Sequence, residues 1–146
     1  MADYDLFQRI TRNIAQGTDE GNSDLIAQIP DEDEDEFNAY VAVVFGTAVE
    51  YWFREDQSHE ALRRFANELR QDFRSLDPPI NTLTMEGILR VFFGEQHLLD
   101  SIDPSEQMTL QCLALRKMVD QSSYLQEHFE QYLQESVEVT KDLMAE

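Results

Sequence analysis

Residues 34–53 read EDEFNAYVAVVFGTAVEYWF. Wound as a helix at about 100° per residue, they place Phe37, Tyr40, Val41, Val44, Phe45, Ala48, Tyr51 and Trp52 on one side. The opposite side carries Ala39, Ala42, Val43, Gly46, Val49 and Phe53, so after the acidic start only Asn38, Thr47 and Glu50 interrupt the apolar surface. A helix that is apolar nearly all round has to be surrounded by others. The small residues Ala39, Ala42 and Gly46 would admit a second helix closely on one side, while the aromatic side meets bulkier neighbours. The stretch thus predicts an all-α fold, a single compact bundle of about five to six helices around a central buried helix at 34–53, with 1–146 as one domain.

Upstream, Leu6, Phe7, Ile10 and Ile14 recur at helical spacing, with Asp3 and Asp5 at the start and Gly17 as a stop. Asp24 to Ile29 reads as one helical turn or an extended strap before Pro30. Downstream, Asp56 or Ser58 opens a helix striped by Ala61, Leu62, Phe65, Ala66, Leu69, Phe73 and Leu76, and Pro78-Pro79 closes it. Thr82 or Thr84 caps a further segment through Ile88, Leu89 and Phe92, with Gly94 either a weak point in one helix or the joint between two. The cluster from Ile88 to Phe93 is dense enough for core or for a subunit interface. Asp103-Pro104-Ser105-Glu106 sets an N-cap acid, proline at N1 and glutamate at N3, a strong start signal. Ser123-Tyr-Leu-Gln126 resembles a second capping box before a last helix along Leu125, Phe129, Leu133 and Val137. No run alternates like a strand.

The 30 acids outweigh the 11 bases to give a net charge of −19, which makes duplex DNA or an anionic membrane surface a poor partner for the whole molecule. A basic or cationic protein partner is compatible with it, and a homo-oligomer is left open. The longest uncharged run, Phe37 to Val49, falls short of the roughly 20 residues that span a bilayer. The opening MADYDLF lacks the basic and apolar regions of a signal peptide, and one cysteine, Cys112, allows no internal disulfide. A cytoplasmic location is expected.

The best candidate contact surface is the acidic run Asp31, Glu32, Asp33, Glu34, Asp35 and Glu36, directly before the central helix. Asp31 or Asp33 could cap that helix and the dipole welcomes carboxylates there, but six like charges exceed what capping needs and repel one another. Asp31, Asp33 and Asp35 alternate like the start of an EF-hand loop, yet Glu36 and Ala42 stand where its glycine and glutamate belong. A secondary basic patch is Arg63, Arg70 and Arg74, at i, i+7 and i+11. Those arginines suit phosphate binding or, more economically, pairing with Glu60, Glu68 and the acidic run.

Chemical signatures are sparse. No Glu-x-x-His occurs; Asp56-x-x-His59 is the nearest, and neither Glu95 with His97 nor Glu127 with His128 has the spacing that places two ligands one helical turn apart. No metal and no cofactor is expected. Cys112 has no adjacent base, and Glu127, Glu130 and Tyr132 form only the kind of grouping that acidic helix surfaces produce by chance. The leading expectation is a small acidic interaction module, an adaptor, an inhibitor of immunity type or a nucleic-acid mimic. One alternative is a ligand-binding or enzymatic bundle with a pocket among Tyr40, Tyr51, Trp52, Phe92 and Phe93. Another is a helical subunit of a nucleoprotein assembly using the arginine side.

Overall fold

A computed structural model describes residues 2–18 and 20–146. The protein is all-helical, with no strand among the described residues. Among the described residues seven α-helices follow in order: α1 Tyr4–Gln16, α2 Asn22–Ala27, α3 Glu34–Trp52, α4 His59–Asp72, α5 Thr82–Phe92, α6 Pro104–Gln121 and α7 Ser123–Met144. Two 3-10 segments, Asp31–Asp33 and Gln96–Ser101, precede α3 and α6. The count exceeds the expected five to six because the stretch before Pro30 winds into α2.

α3 is the central helix. It packs on α7, α6 and α1, and Tyr40, Val41, Val44 and Val49 are wholly enclosed. The helix needs this surround because its apolar residues are spread over most of its circumference, and only contact on several sides removes them from water. α1 lies chiefly on α6, and α4 and α5 form an antiparallel pair along one side of the bundle. Buried apolar residues from Tyr4 to Val137 form one connected cluster. Trp52 lies at its margin, half-buried and edge-on to Phe65 with ring centroids 5.8 Å apart.

Local signals set most of the boundaries. The Asp3 and Asp103 carboxylates accept from the Leu6 and Glu106 amides and start α1 and α6, and Gly17 ends α1 in the left-handed conformation at φ 71°. Other caps fall beside the expected residue. Asn81, not Thr82 or Thr84, accepts from the Leu83 and Thr84 amides, and Ser122, not Ser123, accepts from Leu125. α4 stops at Asp72 rather than running to Leu76, which is exposed. Gly94, at φ 113°, separates α5 from the second 3-10 segment, so the stretch is two elements and not one helix. No helix among the described residues is long and apolar enough to cross a membrane.

Candidate functional site

The acidic run divides between two elements. Asp31, Glu32 and Asp33 form the 3-10 turn, and Glu34, Asp35 and Glu36 form the first turn of α3. Asp33 occupies the N-cap position, but its backbone is already helical at φ −102° and ψ 0°, and its side chain makes no cap. The expected carboxylate cap is therefore absent, and the backbone substitutes: the 3-10 turn carries the chain from Pro30 into α3 with the Asp33 amide bonded to the Pro30 carbonyl at 2.9 Å. Among the described residues only Glu36 is engaged by a side chain from elsewhere, accepting a hydrogen bond from the Tyr4 hydroxyl of α1. Burial, and then that carboxylate, hold the Tyr4 hydroxyl protonated well above the usual phenol range. Among the described residues none of the six acids takes part in an ion pair.

The arginines expected to neutralise this run turn elsewhere. Arg63 reaches Glu86 at 3.1 Å across the α4–α5 pair, and Arg64 meets Glu60 at 3.6 Å. Arg74 lies past the end of α4 and donates to the Gln71 carbonyl at 3.3 Å, while Arg70 is exposed on the helix. The three basic residues thus do not share one helical face, because α4 ends before the third.

Glu86 itself is buried, and Arg63 and Arg90 hold it from two sides, the latter at 3.6 Å. Arg90 continues to Glu95 at 2.7 Å, and Glu95 to His59 Nε2 at 2.9 Å. The Arg90 hydrogen bond pulls the Glu95 carboxyl down to about 2. This chain of hydrogen bonds and ion pairs clamps α4 to α5 and the loop after it. Sequence reasoning missed it; the available signal was the i, i+4 spacing of Glu86 and Arg90.

A second feature had no sequence signal. Lys117 in α6 is buried, yet its ammonium sits 2.5 Å from Asp72 and 3.0 Å from the Gln121 side-chain oxygen. Lys117 lies under a cleft of about 530 Å³ between the C-terminal ends of α1, α4 and α6. Three helix ends carrying partial negative charge explain why the bases Arg116 and Lys117 collect there. The Arg116 guanidinium lies against Gly17, where any Cβ would come within 2.7 Å of its Nε. The cleft is polar and its strongest donor is already satisfied, so it orders three helix ends whether or not anything enters it.

At the α3–α7 end, planar groups stack in series. The Arg54 guanidinium lies 4.0 Å over the Tyr51 ring, Tyr51 stacks on Tyr124 at 4.1 Å, and Tyr124 on His128 at 4.0 Å. The His128 Nδ1 donates to the Tyr124 carbonyl at 2.8 Å. Burial, reinforced by a hydrogen bond with Tyr124, pushes the Tyr132 phenol up to about 12. The five aromatics considered for a pocket do not converge: Tyr40 is in the core, Tyr51 and Trp52 edge a shallow depression, Phe92 lines a different groove, and Phe93 packs on Phe53.

Burial raises the Cys112 thiol to about 11, so it is not a thiolate nucleophile at neutral pH. Among the described residues no three His, Cys, Asp or Glu side chains converge as a metal site would require. Comparison of the chain with protein-family models, with curated proteins and with solved structures finds no match.

Proposed function

We propose that this chain is a small acidic interaction module, acting in the cytoplasm, that offers the carboxylates of residues 31–36 to a basic protein partner as an adaptor or inhibitor. One observation carries the reading. Six of the protein's eleven bases are drawn into its own ion pairs, Arg12 with Glu130, Arg63 and Arg90 with Glu86, Arg64 with Glu60, Lys117 with Asp72 and Lys141 with Glu138, while the six acids at the α3 start receive none among the described residues. Such a concentration of uncompensated charge accelerates encounter with a cationic surface more than it deepens the final complex.

The test begins with affinity capture from the native cell extract at low and high salt, followed by association kinetics with the captured protein. Replacing Asp31, Asp33 and Asp35 by asparagine and Glu32, Glu34 and Glu36 by glutamine should leave the helical spectrum intact, slow association about tenfold or more and flatten its salt dependence. An unchanged association rate would remove the acidic run from the interface. Unfolding of the variant would make the run structural.

A further inference from the structure

We propose that the groove between α3, α5, α6 and the 3-10 helix Gln96–Ser101 binds a small uncharged ligand of one chemical class, a planar cyclic amide with its N–H beside its carbonyl. The groove measures about 220 Å³, and its lining divides between the apolar side chains of Phe45, Ile88, Val91, Phe92 and Leu99 and the amides of Gln96, Gln107 and Gln111. Gln111 carries the argument. Elsewhere on α6 the side chains of Thr109, Lys117 and Gln121 make hydrogen bonds, whereas the Gln111 amide makes none among the described residues, although the residue is only 5% exposed. No side-chain nitrogen or oxygen among the described residues is both fully enclosed and unpaired, so the Gln111 amide reaches open space, and the groove is the space it lines. A residue that merely filled this place in the core would be apolar, because an enclosed amide without a partner costs stability.

The lining sets the chemistry of the ligand. A glutamine amide holds a donor, Nε2, beside an acceptor, Oε1, in one plane. A cyclic amide presents the same pair in the opposite order, so the two groups can exchange two parallel hydrogen bonds. Gln96 is already engaged, its Nε2 donating to the Val91 carbonyl at 3.0 Å, while half-buried Gln107 stands one helical turn before Gln111. Phe45, and Phe92 laid against Gly46 of α3, supply flat apolar surface. No charged residue is part of the lining; Glu86 and Arg90 border a different groove. An anion would therefore enter without a counter-charge on a chain carrying −19, and a cation without a carboxylate, and both would leave water at a cost. Volume sets the size. A cavity of about 150 Å³ holds benzene, so one of about 220 Å³ suits a bicyclic ligand of roughly ten to twelve non-hydrogen atoms.

The test titrates carbostyril, a bicyclic lactam, into the full chain while the methyl signals of the protein are followed by NMR. Two controls of similar outline accompany it: quinoline, which lacks the paired N–H and carbonyl, and quinaldate, which adds a negative charge. The expected result is saturable shifts at Ile88, Val91, Leu99 and Ile102 with carbostyril, a Kd of about 10 µM to 1 mM, and binding about tenfold or more weaker for both controls. Gln111→Met keeps the length of the side chain and removes both hydrogen-bonding functions. It should weaken carbostyril about tenfold, bring it level with quinoline, and leave the thermal midpoint unchanged or raised. No saturable shift below about 5 mM, shifts centred on other residues, or equal binding of carbostyril and either control would overturn the proposal on the parent protein alone. A Gln111→Met variant that binds carbostyril as the parent does, or that is less stable or fails to fold, would overturn it by making the amide structural.

Discussion

The Tyr40 hydroxyl donates a 2.8 Å hydrogen bond to the Leu133 carbonyl, joining the middle of α3 to the middle of α7 across the core. Burial holds that phenol protonated far above its ordinary range, so the donor persists at any pH the fold survives. Tyr40→Phe keeps the ring and loses the bond, at a cost of about 0.5 to 1.5 kcal/mol, because Leu133 retains its place in the helical ladder. Tyr40→Ala also leaves a cavity and should cost about 3 to 5 kcal/mol. Urea unfolding of the two variants checks the ordering; equal losses would mean that packing of the ring contributes nothing.

Lys117 and Asp72 should show an asymmetric response. Asp72→Asn leaves a buried ammonium with the Gln121 oxygen at 3.0 Å and Glu68 at 3.7 Å, whereas Lys117→Met keeps the buried stem and removes the charge. We expect Lys117→Met to be the milder change, and the double variant to be less destabilised than the sum of the two. Equal, additive losses in thermal unfolding would contradict this.

The same pair predicts a pH dependence. The Lys117 hydrogen bond holds the Asp72 carboxyl below its ordinary value, so the folded state holds this proton less readily than the unfolded chain. The stabilisation is then fully present above the unfolded value and disappears as pH falls through the lower, folded one. The stability difference between the parent and Asp72→Asn should therefore be flat above roughly pH 5 and shrink below about pH 4. A difference that grows on acidification would carry the wrong sign.

At Gly46 a Cβ would lie 2.6 Å from the Phe92 ring. Alanine gains about 1 kcal/mol of helix propensity, while crowding a packed ring costs about 1 to 3 kcal/mol. Gly46→Ala should thus be destabilising in the parent and stabilising by up to about 1 kcal/mol in a Phe92→Ala background. The reversal of sign is the measurement; its absence would show that the ring moves aside freely.

Trp52 should report unfolding by a shift of its emission to longer wavelength, starting from a partly hydrated position. Because it is half-buried, Trp52→Ala should cost less than the roughly 3 to 5 kcal/mol of a fully enclosed tryptophan. Calorimetry that finds the full cost would place its contacts on Phe65 among the strongest in the core.

The fold was legible where the governing interactions are local. The α3 pattern, the Asp103 cap and the Gly17 stop each depend on residues within four positions of one another, and all appear in the structure. The capping residues that differ, Asn81 and Ser122, lie within three positions of the expected ones, among neighbouring side chains with the same capping chemistry. The pairing of charge was not legible. Arg63 was expected to favour the acidic run or Glu60 and Glu68, but α4 lies against α5, so Glu86 is the carboxylate it meets. Lys117 reads as a polar residue on an amphipathic helix, and its burial follows only from Asp72, 45 positions earlier in the chain.

The seating of α1 has a consequence for synthesis. Its apolar residues Leu6, Phe7 and Ile10 are buried in a helix that rests chiefly on α6, and Arg12 is bonded to Glu130 of α7 at 2.7 Å. During synthesis α1 therefore waits for α6, about 90 residues later, before its principal partner is made. At roughly 5 to 20 residues per second, that interval is on the order of 5 to 20 seconds. Throughout it a nascent apolar stripe remains open to water and to chaperones, until α6 gives α1 its seat.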